Sequence, residues 1–321
     1  MRHSKNLSTN SRSNETACIG GNVAPVSNWD GSNVPDLLAL ERLDRDLFRN
    51  RINQSNANNA LFGGQVLAQS LTAAMHTVES QPDARAVHSL HGYFLRAGLA
   101  HVPVIFQVDR TRDGGRFSTR RVIAIQNGEP IFHMECGFHA AEDGFDHQFE
   151  LPAGTPDPDS LRGLAELVDE FGDSMPNWLH ERLRDPQQPV EARPVHPEHF
   201  FHSTKQNARR SIWMRVPSGA GASATEQAAM LAWISDHWLS GTAVLPHVLP
   251  ASGPDPFIAS LDHAMWFHRP VQMEEWLLFD TESPSAQSGR GLSRGLIFAR
   301  DGALVASVAQ EALLRRRRAA K

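Results

Sequence analysis

The sequence predicts an α+β fold that contains the same domain twice, each copy being a curved antiparallel sheet wrapped around a long hydrophobic helix. Nearly all-apolar helical segments occur in both halves, as GGQVLAQSLTAAM and TEQAAMLAWISDHWLS. Each is followed by strand-like segments that are separated by turn signals. The spacing also repeats, because the interval from Arg116 to Gly128 equals that from Arg290 to Gly302. A repeat of about 174 residues is too long for a solenoid and indicates a duplicated domain.

The elements follow the same order in both halves. In the first half, ERLDRDLFRNRI predicts one or two short strands, and the apolar helix then begins at a pair of glycines. Four strands follow, namely AVHSLHGYFLRAG, VPVIFQVDRTRDGG, RFSTRRVIAIQNG and EPIFHMECGFHAA, with hairpin turns at RDGG and QNGEP. After the second helix, the strands are SLDHAMWFHRP, WLLFDTESPSAQ, GRGLSRGLIFARDG and ALVASVAQEALLRR.

Composition divides the chain into four parts. Residues 1–34 are rich in Ser, Asn, Thr and Gly without periodicity, which predicts a disordered extension. The first domain is expected at residues 35–145 and the second at 196–321. Prolines punctuate residues 146–195, which we interpret as a linker, with a short helix from an N-cap at Ser160 to Phe171.

Composition also limits the possible functions. With 31 basic and 36 acidic residues, the net charge of −5 argues against general nucleic-acid binding. Two cysteines in 321 residues fit a reducing compartment. The final Ala-Ala-Lys lacks the peroxisomal ending of a small residue, a basic residue and Leu, so a cytoplasmic location is expected. No apolar stretch approaches the roughly 18 residues of a membrane span. The N-terminal segment lacks the apolar core of a secretory signal.

Three polar side chains interrupt apolar segments of the second half. Asp236 lies in the predicted helix, on a face with Trp233 and Leu239, while Ser260 opens a strand and Gln310 follows the alternating line of the last strand. A carboxylate, a hydroxyl and an amide can together hold and activate a water molecule. Each also has an ordinary structural explanation, as a carboxylate bonded to nearby backbone, a turn serine or a glutamine at a sheet edge.

A family resemblance favours the catalytic interpretation. The segments FGGQVLAQSL, HSLHGYFLRAG, RRVIAIQNGEPIF, LDHAMWFHRP and VASVAQEALLR occur in the order found in acyl-CoA thioesterase II, the double-hotdog thioesterases, over residues 35–316. The resemblance implies hydrolysis of fatty acyl-CoA to a free acid and CoA by a bound water, without a covalent intermediate. The family aspartate and glutamine match Asp236 and Gln310. Its threonine matches Ser260, which keeps the hydroxyl but not the methyl group.

Other motifs suggest different chemistry and are less convincing. Ser293 in GLSRG fits the G-x-S-x-G nucleophile pattern, but that elbow needs a following helix, whereas a strand follows here. Asp262, His263 and His268 could suggest a metal site or a hydratase acid–base pair. Adjacent residues and residues an odd number apart point to opposite faces of a strand, so these side chains should not converge. We therefore expect no metal and no cofactor.

The first half lacks the polar trio, so one site per chain is expected. By spacing, Cys136 is the counterpart of Gln310, and the counterpart of Asp236 falls near Gln65. Gly63 and Gly64 are candidate substrate-binding residues, because glycine lets backbone approach a ligand closely, and Gln65 could contact the thioester. Glycines that open a helix can equally serve packing.

Three functions remain in competition at this stage. The first is an acyl-CoA thioesterase whose partner is its acyl-CoA substrate, and the second is a hydrolase with a serine nucleophile. The third is a non-catalytic acyl-CoA binding module, because a fold does not determine a function. The resemblance also implies a homodimer or homotetramer. The preferred acyl chain length does not follow from the sequence.

Overall fold

A computed structural model of the chain describes residues 26–56, 58–79, 83–171, 188–200, 205–247 and 256–316. The helices are α1 (Val34–Leu38), α2 (Gly63–Met75), α3 (Leu164–Phe171) and α4 (Ala224–Ser235). The strands are β1 (Ser27–Asn28), β2 (Leu40–Asp44), β3 (Leu47–Asn50), β4 (Ile52–Asn53), β5 (Arg85–Phe94), β6 (Ile105–Asp113), β7 (Phe117–Gln126), β8 (Glu129–Ala140), β9 (Glu191–Pro194), β10 (Arg209–Arg215), β11 (Pro256–Ser260), β12 (Asp262–Phe267), β13 (Leu277–Gln287), β14 (Arg290–Ala299) and β15 (Leu304–Arg316).

One large sheet runs through both halves of the molecule. Its strand order is β2-β3-β6-β7-β8-β5-β12-β15-β14-β13-β10-β9, and β11 also pairs with β15. The two halves join where β5 pairs antiparallel with β12, with His91 opposite Ala264. Because β5 and β12 are equivalent strands of the two repeats, each half contributes the same strand to the junction.

The two long helices lie side by side against the inside of the sheet. Both are buried along most of their length, as their nearly continuous apolar sequences predict. Helix α4 starts with a capping box in which Ser223 and Glu226 satisfy each other's backbone N–H groups. The start of α2 lies against the end of α4, because a Cβ added at Gly64 would lie 2.7 Å from the carbonyl oxygen of Trp233. The helices are therefore antiparallel.

Matching irregularities in the strands confirm the duplication. The pairing of β7 with β8 skips Ile131, and the pairing of β14 with β15 skips Val305. The interval between these two bulges equals the interval between Arg116 and Arg290, which is the predicted repeat. The QNGEP hairpin is also confirmed, since Asn127 and Gly128 have φ values of 50° and 81°, the left-handed pair of a tight hairpin turn.

Part of the predicted disordered extension is ordered. Residues 1–25 lie outside the described residues, but Ser27–Asn28 forms β1 and pairs with β4. The Trp29 ring packs edge-on against Trp233, with ring centroids 5.8 Å apart, and Val34 is fully buried. The prediction was wrong for residues 26–34, because backbone bonds to residues 51–53 and the packing of Trp29 and Val34 hold this segment on the fold.

The predicted linker also contains regular structure. Ser160 is not a helix N-cap. It ends a short 3₁₀ turn, Pro158–Ser160, which Asp157 caps, and α3 begins only at Leu164. Asp157 followed by Pro158 is the stronger start signal. Strand β9 lies within residues 146–195 and pairs with β10 of the second half. Residues 172–187 fall outside the described residues, and the domain boundaries remain a prediction.

No helix in the described ranges has both the length and the apolar character needed to cross a membrane.

Candidate active site

Asp236 lies immediately beyond the end of α4. The helix ends at Ser235 and Asp236 is its C-cap, so Asp236 is not inside the helix as predicted. Two positions later, Trp238 has a φ of 61°, a left-handed conformation that stops a helix. The Asp236 side chain points into the molecule and the residue is only 9% exposed. A charged group buried to this extent requires hydrogen-bond partners.

Ser260 and Gln310 come from neighbouring strands of the sheet. Ser260 does not open a strand as predicted but ends β11, immediately before the break that leads into β12. Both segments pair with β15, where Ser260 is opposite Ala312. Gln310 occupies an inward position of β15, in line with the buried Ala306, Val308 and Ala312, as the alternation predicts.

The structure brings the three predicted side chains together. Gln310 Nε2 donates to Asp236 Oδ1 at 2.5 Å and to Ser260 Oγ at 3.0 Å. Ser260 Oγ lies 3.5 Å from the same carboxylate oxygen. A carboxylate, a hydroxyl and an amide thus meet at the end of α4, and these are groups that can orient a water molecule.

Burial determines the electrostatics of the carboxylate. Desolvation raises the pKa of Asp236 to about 6, from an ordinary value of 3.8. Hydrogen bonds from Gln310, from the backbone N–H of Gly64 and from Ser260 act in the opposite direction. A carboxylate with this pKa is ionised at neutral pH yet more basic than an ordinary aspartate. It is therefore suited to general-base catalysis.

His263 is a site residue that the sequence interpretation missed. It is fully buried, and its Nδ1 lies 3.2 Å from Gln310 Nε2 while its Nε2 lies 2.9 Å from Ser235 Oγ. Burial lowers the pKa of His263 to about 3, so the ring is neutral and its 4.0 Å approach to Asp236 is not an ion pair.

The contacts of His263 favour one tautomer of its ring. Nδ1 accepts from the Gln310 amide, so Nε2 carries the proton and donates to Ser235 Oγ, which donates to the carbonyl oxygen of Ala232 at 2.7 Å. The ring therefore helps to hold the NH₂ end of the Gln310 amide. The available signal was the inward alternation of His263 with Met265, which predicts a buried histidine in need of partners.

The candidate substrate-binding residues lie at the start of α2, next to Asp236. A Cβ added at Gly63 would lie 3.0 Å from Asp236 Oδ2, so glycine leaves room for the carboxylate. Gly64 has a packing role, because a Cβ there would lie 2.6 Å from the Phe62 ring. The structure does not bring the Gln65 side chain to the trio. Its Oε1 accepts from the Gln54 backbone N–H at 2.6 Å and its Nε2 donates to the Ile52 carbonyl oxygen at 2.7 Å.

The other end of the helix pair shows what the first half has in place of the trio. His76 caps the end of α2 as Asp236 caps α4, so His76, not Gln65, is the counterpart of Asp236. His76 pairs with Glu79 at 2.9 Å and is partly exposed. Cys136 precedes Gln310 by one full repeat interval, as predicted, and burial raises the pKa of its thiol well above the ordinary value.

The competing motifs do not form catalytic sites. Ser293 lies in the middle of β14 and is fully buried, so it is not the exposed nucleophile of a strand–turn–helix elbow. His263 faces the interior, whereas His268 is exposed and bonds Ser307 Oγ at 2.8 Å. Asp262 accepts from the Glu311 backbone N–H at 2.7 Å, on the opposite side of its strand from His263.

The fold defines a duplicated hotdog protein, and comparison with known proteins identifies its class. Residues 180–313 match the family model described as acyl-CoA thioesterase, and residues 53–139 match that of the acyl-CoA thioesterase N-terminal domain. The chain is 38% identical over 290 residues to human acyl-coenzyme A thioesterase 8, covering 88% of each chain. It is 35% identical to acyl-CoA thioesterase 2 of Haemophilus influenzae over 88% of this chain and 97% of that protein.

Solved structures show the same relationship. The acyl-CoA thioesterase II TesB2 of Mycobacterium marinum is 38% identical, with a TM-score of 0.70 over 88% of this chain and 98% of that one. A hot dog fold protein of Alicyclobacillus acidocaldarius, at 18% identity and a TM-score of 0.69, supports the fold alone. The chain belongs to the acyl-CoA thioesterase II family, with the double-hotdog fold, and is a thioester hydrolase.

Proposed function

We propose that the protein hydrolyses acyl-CoA by direct attack of a water molecule held by Asp236, Ser260 and Gln310. The water oxygen bonds to the thioester carbonyl carbon while its proton passes to the Asp236 carboxylate. The carbon–sulfur bond then breaks and the proton leaves with the sulfur, which gives a free fatty acid and CoA. No bond between the enzyme and the acyl group forms at any step.

The observation that carries this proposal is a buried carboxylate whose partners are all neutral. Gln310, Ser260 and the Gly64 backbone N–H donate hydrogen bonds to Asp236, but none of them carries a charge. An adjacent cation would stabilise the ionised form strongly and remove its basicity. Neutral donors orient the carboxylate while leaving it able to accept a proton near pH 7.

The start of α2 is a suitable binding place for the thioester carbonyl oxygen. The first backbone N–H groups of a helix have no partner within the helix, and the helix dipole adds partial positive charge there. Gly63, Gly64 and Gln65 supply these groups beside Asp236. In this proposal, Gly63 and the backbone of Gln65 face the substrate oxygen, and the Gln65 side chain secures the loop before the helix.

The experiment that tests the function is thiol release from saturated acyl-CoAs of rising chain length. We expect free CoA to appear with wild-type protein and to be strongly reduced with Asp236→Asn. Intact-mass analysis during turnover should show unmodified protein. An acyl adduct on Ser260 or Ser293 would instead support the alternative of a serine nucleophile. Acyl-CoA binding without CoA release would support a non-catalytic module.

Two further properties belong to the proposal. A homodimer or homotetramer is expected from the family resemblance, and light scattering of the purified protein would test it, a monomer at micromolar concentration being the contrary result. A cytoplasmic location is supported by the low cysteine content and by Cys136, which is buried and forms no disulfide among the residues that the structure describes. Cell fractionation would test this location.

A further inference from the structure

Two buried oxygen atoms beside the trio lack hydrogen-bond partners. They are Ser293 Oγ and Gln310 Oε1, and neither has a partner within the described part of the chain. Ser293 is 0% exposed and Gln310 is 1% exposed. Leaving a buried polar group unpaired costs about 1–3 kcal/mol, so two such atoms in one place require an explanation.

The two residues are direct neighbours across the sheet. Ser293 on β14 is paired in register with Gln310 on β15. Residues opposite each other on antiparallel strands point to the same face, with Cβ atoms roughly 4.5–5.5 Å apart. The Ser293 hydroxyl is therefore the nearest side-chain donor on β14 to the Gln310 amide.

The orientation of the Gln310 amide determines what its oxygen needs. Nε2 faces three acceptors, namely Asp236 Oδ1, Ser260 Oγ and His263 Nδ1. A flipped amide would place a carbonyl oxygen 2.5 Å from the Asp236 carboxylate oxygen, which also carries no proton when the carboxylate is ionised. The observed orientation leaves Oε1 as an acceptor without a donor, and a serine hydroxyl is a donor that can rotate to suit.

The sequence around Ser293 shows why a small hydroxyl residue fits there. Gly291, Ser293 and Gly295 are the buried, inward positions of one strand. A Cβ added at Gly291 would lie 2.5 Å from the Leu314 side chain, and one at Gly295 would lie 2.5 Å from the Phe279 ring. The G-x-S-x-G pattern thus reflects a strand face with space only for small residues, and serine is the one with a donor.

We propose that Ser293 is a positioning residue for Gln310. Its hydroxyl donates to Gln310 Oε1, after rotation of its side chain or through one bridging water, and thereby holds the NH₂ group of the amide toward Asp236. This inference rests on the proposed function, in which Gln310 orients the reacting water. Ser293 itself does not touch the substrate.

A double-mutant cycle tests the inference, because a residue that acts through another loses its effect when that partner is removed. Turnover of an acyl-CoA is measured for Ser293→Ala, Gln310→Ala and the double variant. We expect Ser293→Ala to lower kcat by about tenfold, the worth of one hydrogen bond, with KM within about twofold. In the Gln310→Ala background, the same change should alter kcat by less than about twofold.

Ser70→Ala is the matched control. Ser70 is also a fully buried serine whose Oγ has no partner among the described residues, but it lies on α2, about two helical turns beyond Gly63. That distance is about 10 Å along the helix. Its kcat should stay within about twofold of wild type, which separates loss of positioning from the general effect of removing a buried hydroxyl.

Other outcomes would overturn the inference. Wild-type kcat in Ser293→Ala, or an equal loss in both backgrounds, would mean that Ser293 does not act through Gln310. If Ser293→Ala does not fold, Ser293→Cys is measured in the same two backgrounds, because its thiol is a weaker donor of similar size. Asp236→Asn is measured alongside. Retained turnover there would contradict the proposed function itself, whereas failure of Ser293 alone leaves that function intact.

Discussion

Gln310 donates a hydrogen bond to Asp236 across 2.5 Å, although the two residues are 74 positions apart in the chain. The bond joins the inward face of β15 to the end of α4, so it forms only when the sheet and the helix are correctly packed. The neutral amide orients the carboxylate and leaves it basic, since burial holds the pKa of Asp236 at about 6.

Asp236→Asn should remove the base while keeping the shape of the side chain. General-base catalysis contributes about 10²–10⁴ in rate, so we expect kcat to fall by roughly a hundredfold or more with little change in KM. Thiol release under saturating acyl-CoA measures this. Asp280→Asn is the matched control, because Asp280 is a half-buried carboxylate whose pKa is also raised, but it lies on β13 and accepts a hydrogen bond from Ser211. Near wild-type turnover in a folded Asp236→Asn variant would remove Asp236 from the mechanism.

The pH dependence of kcat/KM should report the same carboxylate. Protonated Asp236 cannot accept the proton of water, so activity should decline as the pH falls through about 6. His263 should not add a second step in this range, because burial lowers its pKa to about 3. A profile flat down to pH 4.5 would contradict this assignment. The stability of the protein must be checked in parallel, so that loss of activity is not loss of fold.

The raised pKa of Asp236 also predicts an effect on folding stability. A carboxyl group whose folded pKa lies above its unfolded value favours the folded state at low pH, and this contribution is lost as the pH rises through the folded pKa. The shift from 3.8 to about 6 therefore makes ionised Asp236 destabilising above pH 6. We therefore compare the free energy of unfolding of Asp236→Asn with that of wild type. The difference, variant minus wild type, should rise by about 2 kcal/mol between pH 4 and pH 8.

Denaturant unfolding of both proteins at the two pH values measures this difference. Asp280→Asn again serves as the control, although its effect should be smaller because the carboxylate is less buried. A relative stability that is constant across this range would mean that the carboxylate titrates at its ordinary value in the folded protein.

Sequence patterns predicted the fold because it depends on local alternation, whereas the family resemblance singled out the trio from residues with ordinary structural explanations. The apolar helices, the succession of strands along each half and the inward position of Gln310 follow from periodicity. The pairing of β5 with β8, in place of the neighbour that a simple meander would give it, does not. The counterpart of Asp236 could not be found in this way. The repeat interval is constant among the strands, but the connection from Met75 to Arg85 is much shorter than the one from Ser235 to Asp262. Surface loops vary freely in length, so the interval between the two helices differs from the interval between equivalent strands.

The role of His263 was also beyond sequence reasoning, for a different reason. Its strand position correctly placed its side chain on the opposite face from those of Asp262 and His268. The pattern did not predict the two tertiary contacts of His263. One is with Gln310 on the neighbouring strand, and the other is with Ser235 at the end of α4. A buried histidine in an alternating strand signals the need for partners without naming them.

Ser260 should tolerate the methyl group that the family threonine carries. If the hydroxyl only positions the water, Ser260→Thr should keep kcat within a few fold, and Ser260→Ala should lose one hydrogen bond, on the order of 1–2 kcal/mol or about tenfold in rate. Steady-state turnover of both variants measures this. A complete loss of activity in Ser260→Ala, together with acylated Ser260 in the wild type, would point to covalent catalysis.

The asymmetry between the halves gives the last prediction. Gln310 and Cys136 occupy equivalent positions, but only Gln310 has a carboxylate as its partner. Gln310→Ala should lower kcat by about tenfold or more, because an oriented donor near developing charge contributes several kcal/mol. Cys136→Ser should leave turnover within a few fold, since its thiol bonds only the carbonyl oxygen of Arg120, at 3.7 Å. Both variants replace a buried residue at the same place in the duplicated sheet, so their thermal stabilities show the packing cost of each. If Cys136→Ser abolished activity in a folded protein while Gln310→Ala did not, the reacting site would lie at the other end of the helix pair, beside His76.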